Sequence, residues 1–148
     1  MSGTKEKITE ESFLGAIYKN TKMGADAIIN LLPKVKNDSL RSDMTVQLDG
    51  YEKYAARAEE ALMMRGVKAK EERLMTRMSA RVGIAAKTMM DASTGHIAEM
   101  MIDGSNMGIT DTTKLLNNYD TRDSDAVRLA RDVGRFEEHN LETMKRYL

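Results

Sequence analysis

The stretch DSDAVRLARDVGRFEEHNLETMKRYL, residues 123–148, decides how the chain is read. Taken at alternating steps of three and four, it places Val127, Ala130, Gly134, Glu137, Leu141, Met144 and Leu148 on one stripe, the seam that a helix buries in a bundle. One member of that seam is a carboxylate. A buried charge is costly unless it is paired, so Glu137 is expected to be a ligand or a member of a buried polar network, or else the buried face is slightly rotated. Asp120 or Thr121 is expected to cap this helix. Asp123 and Asp125 complement its positive end, and Lys145 and Arg146 lie in its last turn, as the helix dipole favours.

Outward from that helix, composition bounds the class. The chain has 148 residues, a single-domain length at which folding hides roughly two-thirds of the unfolded surface. We read residues 1–148 as one domain, with residues 1–9 as a flexible N-terminus. Cysteine is absent, which removes disulfides, thiolate metal sites and cysteine nucleophiles together. The opening MSGTKEKITEES has no apolar core of a signal peptide, and no later run is long enough to cross a bilayer. A soluble, cytoplasmic protein without a membrane partner is expected. One proline, two phenylalanines, no tryptophan and thirteen methionines, with many Ala, Leu, Glu, Lys and Arg, make a helical composition with hardly any strand signal. The expected class is all-α.

Acidic and basic residues balance at 23 each, so no global field draws the chain to nucleic acid or an anionic membrane. Locally the balance breaks: residues 65–90 carry seven basic side chains against Glu71 and Glu72, and residues 91–125 carry seven acidic ones against Lys114 and Arg122. These blocks are expected to face each other or a second subunit.

The spacing predicts a first helix from Thr9 or Ser12 to about residue 35, with Leu14, Tyr18, Thr21, Ala25, Ile28, Leu32 and Val35 on one face and Pro33 tightening its last turns. Asn37, Asp38 and Ser39 form a short polar break, which makes the next helix an antiparallel neighbour. That second helix, about residues 40–65, buries Met44, Leu48, Tyr51, Ala55, Ala58 and Leu62, is flanked by Gln47, Tyr54 and Ala61, and stops at Gly66. A shorter helix over residues 70–90 buries Leu74, Met75, Met78, Val82, Ala85 and Met89, and carries Arg73, Arg77 and Arg81 on its other side. That basic face could take nucleic acid or an acidic partner. With no aromatic residue interleaved for base stacking, a solvated face is the simpler reading. The fourth helix, about residues 95–118, puts Ile97, Met101, Gly104, Gly108, Asp111 and Leu115 on one stripe. Its two glycines, one turn apart, point to a close helix approach or to a distortion near a site.

Two antiparallel hairpins joined by a long segment holding its own helix resemble the ferritin-like four-helix bundle with its crossover connection. The runs HIAEMMIDGSNMGITDTTKLLNNYD and LARDVGRFEEHNLETMKRYL are also similar to bacterial members of that superfamily. The resemblance implies a di-iron site built from a Glu on each of two helices and a Glu-x-x-His pair on each of the others. The residues depart from that pattern. Ser93 precedes His96 by three and Phe136 precedes His139 by three, while Asn140 stands at i+3 from Glu137, where a histidine is wanted. Counting along the hairpins puts Lys22, Glu52, Asp103 and Glu137 at one level. A carboxylate-only iron or manganese site on Glu52, Asp103 and Glu137, in an oxidoreductase, therefore stands as the alternative. The favoured reading has no cofactor: Glu137 and Asn140 join Thr21, Tyr51 or Tyr54, and Lys22, in a polar network that fixes helix register.

Other chemistries lack their residues. No nucleophile elbow accompanies either histidine, and Gly104 and Gly108 match neither dinucleotide-binding nor phosphate-loop spacing. The expectation is a non-enzymatic binding or structural bundle, forming a homo-oligomer with a dimer favoured. In the methionine doublets at 63–64, 89–90 and 100–101 both members are not expected to enter one core, so one of each pair is expected to cover a subunit interface or a groove, with dimerisation the leading use.

Overall fold

The computed structural model describes residues 8–69, 90–119 and 124–148. Within them the chain forms four α-helices, and the described residues contain no strand. The first, α1, spans Glu10–Leu31. Its cap is Thr9, whose hydroxyl accepts the Ser12 N–H. Pro33 ends it: the chain tightens into a 3-10 turn at Leu32–Lys34 and turns extended at Val35. Asn37 then caps α2, Asp38–Met63, by accepting the Leu40 N–H.

The end of α2 follows from one glycine. Gly66 adopts φ +75°, a conformation that only glycine enters without steric cost. This lets Val67 N–H reach back to Leu62 O (3.0 Å) and Gly66 N–H to Met63 O (2.9 Å), closing the two orphan carbonyls of the last turn.

The third helix, α3, spans Thr94–Asn117 and is capped by Ser93. The fourth, α4, spans Asp125–Lys145 and is capped by Ser124, whose hydroxyl accepts the Val127 N–H. Ser124 thus takes the capping role expected of Asp120 or Thr121, both of which lie outside the described residues.

The helices pack as two antiparallel hairpins, α1 with α2 and α3 with α4, laid together so that α1 touches α3 and α2 touches α4. The apolar core gives their directions. One cluster joins Phe13 and Leu14 near the start of α1 to Leu62 at the end of α2 and Ala126 and Leu129 at the start of α4. A second joins Ile28 and Leu31 to Leu40, Met44, Ile97 and Met144 at the opposite end. The four helix pairs just named therefore run antiparallel, whereas α1 and α4, and likewise α2 and α3, run the same way. The connection from α2 to α3 must return the length of the bundle, and residues 70–89 within it, with the expected basic helix, lie outside the described residues. Ion pairs trim the outside, including Arg57 with Asp132 at 3.1 Å across α2 and α4. Exposed pairs of this kind add about 1 kcal/mol or less. No described helix is long and apolar enough to cross a membrane.

Two seam assignments change. Leu148 is exposed, because α4 ends at Lys145 and the stripe stops with Met144. On α3 the buried positions are Ile97, Ala98, Met101, Ser105 and Thr112, while Gly104 is exposed and Asp111 only half-buried. Small hydroxyl residues mark the inner face there, and hydropathy alone rotates the stripe away from them.

Candidate functional site

Between the two apolar clusters the bundle core turns polar. Each helix contributes: Thr21 from α1, Gln47 and Tyr51 from α2, Ser105 and Thr112 from α3, and Glu137 and Asn140 from α4, all buried. The Thr21 hydroxyl donates within its own helix, to Ile17 O at 2.8 Å and Tyr18 O at 3.0 Å. Tyr54 lies outside the layer. It is half-buried, with its ring 5.1 Å from that of Phe136 and the Arg57 guanidinium 5.6 Å above it. Of the residues expected in a buried network, Tyr51, Glu137 and Asn140 come together, and Ser105 joins them. Ser105 and Asn140 both act on the Tyr51 phenol.

Glu137 is the centre of this group. It is 2% exposed. Burial pushes its carboxyl up to about 7, against the opposing pull of the Tyr51 hydroxyl. Burial likewise drives the Tyr51 phenol well above its ordinary range, and the charge and hydrogen bond of Glu137 push the same way. Glu137 Oε1 and Asn140 Nδ2 have no hydrogen-bond partner, and neither polar atom of Gln47 has one. Such atoms cost about 1–3 kcal/mol each when left unmatched.

Two glycines make room for the pair. A Cβ at Gly24 would lie 2.7 Å from Tyr51 Cδ1 and Cζ, and one at Gly108 would lie 2.7 Å from Glu137 Cδ. The tyrosine ring and the carboxyl group therefore press directly on the backbones of α1 and α3. The expectation of close helix packing at Gly104 and Gly108 gives way to a division of labour. Gly108 accommodates a side chain of α4, and a Cβ at Gly104 would meet nothing within 4 Å.

That open space belongs to a cavity of about 130 Å³ between α1 and α3. Glu137 and Tyr51 lie at its inner end, as their burial shows, and the half-exposed Met107 stands at its rim. Met23, Met100 and Met101 supply most of the remaining apolar wall, and Asp111 and Asn20 the polar edge. Met101 is buried and Met100 half-buried, and both line this cavity. They can do so because the cavity sits between helices, where adjacent residues flank it from two sides. The doublet at 63–64 is exposed at both positions, and Met90 is fully exposed.

The carboxylates expected to share a metal do not meet. Glu52 and Asp103 are exposed on the outside of α2 and α3, while Glu137 faces inward. Among the described residues, no three His, Cys, Asp or Glu side chains converge on a point where one ion could bind. The seam read on the second helix already places Tyr51 inside, and Glu52, one residue and 100° of helix further on, is exposed. The donor set around Glu137 offers one buried carboxylate and neutral groups, which does not fit a di-iron or dimanganese centre. His139 is exposed, His96 half-buried, and Arg73, Arg77 and Arg81 lie outside the described residues.

Sequence reasoning missed the cavity, although a signal for it exists. Met100, Met101, Gly104, Met107, Gly108 and Asp111 recur at helical spacing, a face of α3 made almost wholly of methionine and glycine. Such a face has flexible walls and gaps where a helix packed in the usual way would carry branched side chains. Compared with protein-family models, with curated proteins and with solved structures, the chain matches none.

Proposed function

We propose that this protein is a non-enzymatic bundle of ferritin-like topology that binds a small, largely apolar molecule between α1 and α3. The observation that carries the reading is the 130 Å³ cavity whose inner end is a buried carboxyl group with an unpartnered oxygen. Ligand sites are typically concave and mostly apolar, with a few polar groups that fix orientation, and methionine walls adapt to the molecule they enclose. Apolar cavities of about 150 Å³ accept molecules the size of benzene. The antiparallel hairpins with one long return connection support the ferritin-like topology. The exposed Met63 and Met64 at the end of α2 support contact with a second copy as an additional property.

The test uses benzyl alcohol as a neutral probe and the methionine methyl groups as reporters. Saturable shifts at Met23, Met100, Met101 and Met107, with Met44 and Met144 unmoved, are expected. Gly104→Leu fills the open space and should abolish the shifts without lowering the melting temperature, because a glycine leaves the helix interior. Unchanged binding in a folded Gly104→Leu protein would overturn the reading.

A further inference from the structure

The cavity's charge pattern narrows what it accepts. Among the described residues, those that line it and can ionise are Glu137, Asp111 and Tyr51, with no lysine, arginine or histidine beside them. An anionic ligand would meet two carboxyl groups and no counter-charge. A neutral hydrogen-bond acceptor offers a buried carboxylate nothing to accept from. A cationic donor does neither: it supplies N–H groups to the Glu137 carboxylate, which lines the cavity, and neutralises the charge in a low-dielectric setting. The surrounding groups favour the same choice. Thioether sulfur is polarisable, and the Tyr51 ring offers an aromatic surface that attracts cations. Bare Gly108 is what lets the carboxyl group lie at the cavity's inner end.

We propose that the cavity is a site for a lipophilic ammonium ion: a small aryl or alkyl body enclosed by Met23, Met100, Met101 and Met107, with its N–H donors held by Glu137. Asp111 at the rim draws the cation in. This rests on the binding reading above, and the test separates the two. Benzylamine, benzyl alcohol and benzoate share one skeleton and differ in their polar head. They are titrated into the full-length protein above pH 7 by calorimetry and by methionine-methyl shifts.

Benzylamine is expected to bind at least about tenfold more tightly than benzyl alcohol, with benzoate weakest. Glu137→Gln keeps the shape of the side chain and should erase that preference while leaving the affinity for benzyl alcohol within about threefold. Asp111→Asn should slow association of the amine only. Equal binding of amine and alcohol, or tighter binding of the alcohol, overturns the ammonium proposal and leaves the binding reading standing. If none of the three binds, both fall. Stoichiometric silver(I) binding that shifts the same four methionines and excludes benzylamine would also overturn the proposal, in favour of a soft-metal site. The comparison among ligands needs only the wild-type chain, so it decides the matter even if Glu137→Gln folds poorly.

Discussion

The Glu137 carboxyl group occupies the space beside α3 in which a side chain at residue 108 would begin: a methyl placed on Gly108 would lie 2.7 Å from Glu137 Cδ and closer still to Oε2. The two positions are therefore coupled, one residue being absent in effect so that the other can be present. A helix-interior glycine ordinarily costs about 1 kcal/mol against alanine. Here that cost makes room for a buried acid.

The coupling has a measurable sign. Gly108→Ala should destabilise the wild-type protein by about 1–2 kcal/mol, because the displaced carboxyl group is buried and has nowhere solvated to go. In a Glu137→Ala background the same change should stabilise by about 1 kcal/mol, the ordinary helix preference. Denaturant unfolding of the four proteins checks this. Additive effects would show that Glu137 and Gly108 do not contend for the same volume.

Protonation of Glu137 gives a second expectation. Its carboxyl is raised from 4.5 to about 7 by burial, with Tyr51 pulling the other way. The folded chain therefore holds this proton more tightly than the unfolded chain. The stabilisation is complete below about pH 4.5 and is lost as pH rises through about 7, roughly 3 kcal/mol in all. The charged form faces the Tyr51 phenol from α2 and shares the cavity with Asp111 of α3, and no positive charge is among the described residues that line that cavity. Glu137→Gln should flatten this slope and exceed the wild type in stability above pH 7. Thermal unfolding followed across that window, with parallel slopes for the two proteins, would refute it.

Packing on the other side of Tyr51 supplies a third. A Cβ at Gly50 would lie 2.5 Å from Phe136 Cζ and 3.2 Å from Cδ1. Phe136 is held edge-on to Tyr51 at 4.9 Å and leans on Tyr54, so its ring cannot simply turn aside. Gly50→Ala should cost about 1–3 kcal/mol despite the better helix former, and Phe136→Leu in the same chain should recover part of it. Melting temperatures of the single and double variants measure this.

Much of the bundle was legible in the chain because large apolar residues repeat at helical spacing where the core is apolar. Leu14, Tyr18, Ala25 and Ile28 on α1, and Met44, Tyr51, Ala55, Ala58 and Leu62 on α2, are buried as their spacing requires. Pro33, Asn37 and Gly66 mark the helix ends by backbone chemistry that does not depend on tertiary contacts. Legibility fails in the polar layer. Ser105 and Thr112 are buried but read as surface residues, and Gly104 and Gly108 carry no side chain to signal a face. Glu137 could be placed on the seam, yet which groups surround it depends on helix phase to within one residue. That phase puts Tyr51 inside, as the seam on α2 already has it, and Glu52 outside. The cavity arises from what the methionines and glycines leave unfilled, and a pattern of filled positions does not display it.

One consequence of the α1–α3 contact concerns time as much as affinity. The cavity wall comes from both hairpins, with Met23, Gly24 and Tyr51 from one and Met100, Met101 and Glu137 from the other. An occupant is therefore a fastener across the seam where the halves would part. Each tenfold excess of occupant over its dissociation constant adds about 1.4 kcal/mol against that parting. Between the hairpins, exchange of deep amides on α1 and α3 would slow with occupancy while the outer faces of α2 and α4 kept their own pace. On the binding proposal, the bundle's lifetime would become a reading of how much of such an occupant the surroundings contain.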